Sequence, residues 1–268
     1  MRNQARIFRS FKSPVKKFTV RIYLAHDIFS LAPNYYDYLI NPSNEALVGT
    51  RLPYFPRGGP VPIPQNSSTS NSSRWGGMDA GEDMLYPVQT VDGLVHQESG
   101  YELLKFLMLL PEQVPYTDKA GQKIRCATGN CVLSPSYGNL RPYFGRIIHT
   151  VPPFYNEMHW ESKLESCYIS SFVAAWGSTD MKQSASILSV LLGSGCRGIP
   201  IDEAARIAAS ACRRYHDEML PCGLSAPTEL AVKAKGGIVT LRTIDFILRE
   251  DSHCELLASY LSDEIDVF

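Results

Sequence analysis

The chain has 268 residues, 44% of them hydrophobic, with 26 basic and 27 acidic side chains and a formal net charge of -1. That much apolar material supports a real core, and a near-neutral balance excludes a chain drawn as a whole to nucleic acid or to an anionic membrane. The 7 cysteines are odd in number, scattered and without a C-x-x-C pair, so they suggest neither a disulfide framework nor a zinc site.

No run reaches the roughly 20 apolar residues that span a bilayer, and the N-terminus lacks the apolar core of a secretory signal. A reducing compartment fits best, cytoplasmic or nuclear, with the sequons at Asn66 and Asn71 unused and the protein a monomer. Residues 1–26 carry Arg2, Arg6, Arg9, Lys12, Lys16, Lys17 and Arg21 and no acid. A transit peptide, and with it a mitochondrial address, is one reading of this composition. The favoured one is a basic extension over residues 1–16 that leads into a first strand, Lys17 to Leu24.

A second strand over Asp37 to Asn41 runs into the turn-rich string INPSN, where Pro42 ends ladder donation. From about residue 50 to 90 the composition shifts to prolines, then QNSSTSNSS, then glycines around Trp75. Such a stretch cannot bury enough apolar area to offset the entropy of ordering, so it reads as an insertion, with Tyr54, Phe55, Trp75 and Tyr86 able to dock on the domain. Regular patterning returns at Val91. Tyr101 to Leu110 reads as a buried helix, residues 130 to 151 as a short strand or turn and then a strand from Arg146, and Lys163 to Trp176 as an amphipathic helix.

The next stretch, Ser186 to Tyr215, is an apolar strand, a glycine-rich turn and a helix in succession. Gly193, Gly195 and Gly198 clear the backbone of side chains, and Pro200 suits the first helical position. Since no Ser, Thr, Asp or Asn precedes Pro200, the first helical amides have no side-chain cap, and an anion can satisfy them. GSGCRG also spells the dinucleotide pattern G-x-G-x-x-G, which needs an acid at the end of the following strand. The acids at the required distance, Asp217 and Glu218, fall at the end of a helix instead, so we read a phosphate loop and doubt a nicotinamide cofactor. Thr240 to Leu248 is a last strand, and Ser252 with Glu255 suggests a capping box opening a last helix. Strands alternating with helices argue for an α/β layered domain over residues 17–268.

Three smaller patterns have chemical potential. Asp92 and His96 stand four apart, on one face if Asp92 opens a helix, although an Asp in a first turn is commonly only a helix start. Asn41 and Asn44 suit sugar hydroxyls or plain turn chemistry. Asp27, just past the first strand, suits an exocyclic amine or the cap of a turn.

In order, these motifs resemble the macro domain family, the ADP-ribose-binding fold, over the chain from about residue 17 onward apart from the insertion. HDIF resembles the family's Gly-Asp-Ile-Thr, which implies Asp27 at the adenine amine with Ile28 beside it. INPSNEALVG is similar to the Asn-Ala-Ala-Asn signature and implies Asn41 in the site and Asn44 at the distal ribose. VDGLVHQESG resembles the segment of the MacroD-like branch that carries the catalytic aspartate, implying Asp92 with His96 behind it. CATGNCVLSPSYGNLRPYFGRIIHTVPP is similar to the family's middle stretch. GSGCRG then resembles the diphosphate loop, with Gly193, Ser194, Gly195, Cys196, Arg197 and Gly198 around the phosphates.

The resemblance implies a three-layer α/β/α domain with a central mixed sheet that binds ADP-ribose or ADP-ribosylated protein. It implies hydrolysis of the modification from Asp or Glu esters, or of O-acetyl-ADP-ribose, without metal or cofactor. A non-catalytic reader is the alternative, and an NAD-dependent oxidoreductase a third reading. The chain departs from the pattern where some forty residues separate Asn44 from Asp92, which opens a rival register with Asp79 at the sugar. Arg197 stands in place of a frequent aromatic, free to pair with phosphate. Ile247 stands where an aromatic often stacks on adenine.

Overall fold

The computed structural model describes residues 5–13, 18–31, 34–49, 90–113, 123–155, 157–176, 184–219 and 241–265. Strands β1 (Arg6–Ser13), β2 (Phe18–Leu24) and β3 (Tyr36–Pro42) precede helices α1 (Val91–Ser99) and α2 (Tyr101–Met108). Then come β4 (Cys131–Pro135), a 3-10 turn (Gly138–Leu140), β5 (Phe144–Thr150), α3 (Trp160–Trp176), β6 (Ser184–Ser189), α4 (Ile201–Arg214), β7 (Leu241–Leu248) and α5 (Asp251–Ile265). The insertion, the sequons and the rival Asp79 lie outside the described residues.

The strands form one mixed sheet in the order β1-β2-β7-β6-β3-β5-β4. The five central strands run parallel, while β1 and β4 pair antiparallel at the two edges. Parallel strands covered on both faces need apolar side chains in both directions, and successive residues here point to opposite layers. Ile22, Ile40, Ile148, Ile187 and Phe246 join the core under α3, α4 and α5. Their chain neighbours Tyr23, Leu39, Ile147, Leu188 and Ile247 join the core under α1 and α2. This alternation makes the molecule the expected three-layer α/β/α domain.

Two sequence expectations change here. Arg6–Ser13, read as part of a basic extension, is the edge strand β1: Phe11 and Ser13 point inward and are buried while its arginines face solvent, a pattern that hides a strand behind its charge. The last helix begins at Asp251, so Ser252 lies inside it and is not its cap; the Cys254 amide bonds the Glu250 carbonyl instead. The other elements differ from the expected bounds by a few residues at their ends.

Candidate functional site

Because β2, β7, β6, β3 and β5 are parallel, every residue just beyond a C-terminal strand end lies along one edge of the sheet. Asp27 follows β2, the glycine-rich turn follows β6, Asn41 is the next-to-last residue of β3 and Asn44 follows that strand. From β2 to β3 is three strand spacings, roughly 14 Å, so one extended small molecule can bridge these places. Ligands of open α/β sheets bind at this kind of edge.

The turn after β6 is built to expose backbone. Gly193 has φ +80, and a Cβ there would stand 2.5 Å from the Ile199 side chain. The amides of Gly198 and Ile199 fold back onto the carbonyls of Gly195 and Gly193 at 2.9 and 3.1 Å. Among the described residues no backbone hydrogen bond engages the amides of Ser194, Gly195 and Arg197, and Pro200, which is the N-cap of α4 rather than its expected first helical residue, gives no side-chain cap. Unspent amides at a helix N-terminus suit an anion.

Opposite this turn, Thr90 caps α1 by accepting from the Gly93 amide at 3.0 Å, which places Asp92 in the first turn, buried. Asn41 donates to Asp92 Oδ1 at 2.8 Å. His96, one turn along, brings Nε2 to 3.7 Å from the same oxygen, beyond a hydrogen bond but within ionic reach. Burial pushes the Cys196 thiol up to about 11 and the nearby Asp92 adds to it, so Asp92 acts on the glycine-rich turn after β6. Gly49 closes the other side of His96: its φ is +80, and a Cβ would sit 2.8 Å from the imidazole. Beside His96, a cleft of about 230 Å³ opens between Val48, Gly49 and Tyr101.

Several of the expected site residues already carry other contacts. Asp27 Oδ1 accepts from the Phe29 amide at 2.9 Å and from Ser30 Oγ at 3.0 Å, so the turn-capping reading is realised there, and Ile28 is buried beneath it. The Asn44 amide ties its own loop together, donating to the Gly49 carbonyl at 3.0 Å and accepting from the Val48 amide at 3.2 Å. That clamp holds Leu47 at φ 58 with its side chain in the core, a conformation a branched apolar residue takes only when the surroundings impose it. Ile247 is buried in the α1–α2 core.

Arg197 corrects an expectation more directly. Its guanidinium reaches across to the loop after β3, donating to the Ser43 carbonyl at 3.2 Å and to Glu45 at 3.4 Å, and it lies 4.3 Å over the Phe154 ring. Burial favours a neutral Glu45, but Arg197 and Thr128 outweigh it and hold the carboxyl below its usual range. The arginine is a strut between the two walls. Glu45 gave no signal in the sequence because its partner is more than 150 residues away.

Sequence reasoning also gave no role to His149. It is wholly buried on β5, with Nδ1 at 3.1 Å from the Asn41 amide nitrogen and Nε2 at 2.9 Å from Ser134 Oγ. Burial, with the nearby His96 adding to it, pulls its pKa down to about 3, so the ring is neutral. As for metal sites, among the described residues no group of three or more His, Cys, Asp or Glu could hold an ion.

Residues 81–208 match the family described as Macro domain. The chain carries a macro domain. Macrodomains from Oceanobacillus iheyensis superpose on it at a TM-score of 0.58 and 19% identity: one with MES bound covers 97% of this chain and 99% of that chain, and one with ADP covers 97% and 98%. A Trypanosoma brucei macrodomain in complex with ADP-ribose superposes at 0.51 and 18% identity, covering 90% of this chain and 68% of that one. At such identities the likeness establishes the fold. No curated protein matches the sequence. In this macro domain the GSGCRG turn follows the sixth of the seven strands among the described residues, and Asp217 sits in a π-helical turn rather than at a strand end, where a dinucleotide site would need its acid.

Proposed function

We propose that this macro domain binds ADP-ribose along the C-terminal sheet edge and hydrolyses mono-ADP-ribosyl esters of protein Asp or Glu side chains, or O-acetyl-ADP-ribose, as a MacroD-like enzyme. The observation that carries the reading is the buried Asp92 carboxylate, held by Asn41, flanked by His96 and facing a loop of unspent amides. The amides between Gly193 and Gly198 take the diphosphate, which fixes the distal ribose near Asp92 and supplies the orientation part of catalysis. Asp92 aligns or deprotonates the attacking water. Asp27, with Oδ1 spent on its turn, offers its other oxygen to the adenine amine.

One observation favours a reader without turnover. The Asn44 amide, assigned to ribose hydroxyls by the resemblance, already holds Val48 and Gly49. Purified protein is therefore tested twice: calorimetry with ADP-ribose, and release of the modification from a glutamate-modified substrate. Binding with release supports the hydrolase, binding without release leaves the reader, and no binding removes both. Asp27→Ala is expected to weaken ADP-ribose far more than ribose phosphate; equal losses would make Asp27 structural.

A further inference from the structure

We propose that Ser134, His149 and Asn41 form a buried hydrogen-bond relay that positions the Asp92 carboxylate, with His149 a positioning residue for the reaction above. The inference rests on the hydrolase reading and concerns how its carboxylate is held in place.

An asparagine amide has two ends of similar shape and opposite polarity, and only one of them can face a carboxylate. In the observed arrangement Nδ2 lies 2.8 Å from Asp92 Oδ1 and 3.1 Å from His149 Nδ1, so its two hydrogens serve two acceptors. For Nδ1 to accept, the imidazole must carry its proton on Nε2, and that proton points at Ser134 Oγ, 2.9 Å away. Ser134 Oγ thus accepts from the Nε2–H tautomer, that tautomer accepts from the Asn41 amide, and the amide so oriented holds the carboxylate.

Burial supports the same assignment. His149 is fully buried and its pKa is drawn to about 3, so the ring keeps its Nδ1 lone pair through the working range. A protonated ring would donate from both nitrogens and favour the flipped amide, turning Oδ1 toward Asp92. The orientation is held even though Asn41 Oδ1 is buried with no hydrogen-bond partner among the described residues. An amide placed only to fill space would turn that oxygen toward a donor. Parallel pairing of β3 with β5 sets Asn41 directly beside His149, so the relay is fixed by sheet register rather than by loops.

The test uses the full chain, single-turnover release of ADP-ribose from a glutamate-modified substrate, and calorimetry with ADP-ribose. His149→Leu is expected to lower the single-turnover rate by about 10²-fold, as for a small misplacement of a catalytic group, while Kd stays within about threefold. His149→Asn, whose amide oxygen stands near the Nδ1 position, is expected to recover most of the rate. An active wild type with equal losses in Leu and Asn variants, or with losses confined to Kd, overturns the relay and leaves the hydrolase reading intact. A wild type that binds and does not turn over removes that reading instead, and the relay's catalytic role with it. Should the Leu variant fail to fold, imidazole nitrogen NMR on the wild type decides: His149 neutral with its proton on Nε2 at pH 5 is expected, and a protonated ring or the Nδ1–H tautomer overturns the proposal.

Discussion

Two buried carboxylates divide this molecule's chemistry between them. Asp245, in the middle of β7, is fully buried and receives both arms of the Arg21 guanidinium at 2.7 Å each, plus the Tyr36 hydroxyl at 2.6 Å. Its charge is cancelled by a cation on β2 and its oxygens are saturated. Tyr36 shows the consequence, since burial and the adjacent carboxylate drive its phenol far above the ordinary range. Asp92, next in the chain to the cleft-lining Gly93, is buried almost as deeply, and its Oδ1 accepts from the Asn41 amide with the His96 imidazole at 3.7 Å. A carboxylate neutralised by a bidentate arginine ties strands together. One held by an amide at the sheet edge is the group that the proposed reaction would set against water.

The comparison breaks most sharply at Asp92. Asp92→Asn is expected to lower hydrolysis by about 10²–10⁴-fold, the usual contribution of a general base, with ADP-ribose affinity changed only a few-fold. Single-turnover kinetics beside calorimetry checks it, and a comparable loss of both would place Asp92 among the merely structural groups. Asp245→Asn should do the opposite, costing about 2–3 kcal/mol of stability, somewhat less than for a fully buried pair because Arg21 is one-third exposed. Urea denaturation reads it, and the surviving folded protein should turn over normally.

Gly49→Ala is a smaller perturbation of the catalytic side alone. The added methyl meets the His96 ring in a backbone conformation that alanine disfavours, at a cost of about 1–2 kcal/mol. Thermal unfolding and turnover should fall together if His96 steadies Asp92.

The smallest effect belongs to the strut between the walls. Glu45 has its folded pKa depressed, so its pairing with Arg197 stabilises above the free glutamate value of 4.5 and is lost as pH falls below it through the folded pKa. Arg197→Met should therefore lower stability at pH 7 by roughly 1 kcal/mol, a modest value for a pair about one-tenth and one-fifth exposed, and the gap to wild type should close as the pH falls below 4.5 through the depressed folded pKa of Glu45. A gap that persists in acid would mean that the arginine acts by packing on Phe154.

Much of the scaffold was legible from local pattern. The apolar run of β6, the four-residue spacing of Asp92 and His96 on α1, Pro200 beside the start of α4 and the glycines of the turn after β6 each state their geometry within a few residues. The edge strand β1 was not legible, because its outward arginines obscure an alternation that matters only once β2 is its partner. Nor could sequence alone reveal that Asn44 and Asp27 spend hydrogen bonds on their own turns. Both side chains are suited equally to turns and to ligands, and the surrounding backbone decides between them.

What the sequence determined by itself is the order of layers and the site's raw parts, because period, glycine and capping chemistry act over a few residues. The tertiary structure alone decided which of those parts meet. Arg197 with Glu45, His149 with Asn41 and Asp245 with Arg21 are separated by 100 residues or more and joined only by strand pairing or by loops crossing the sheet edge. Contacts of that kind depend on register and on burial, which no local pattern encodes.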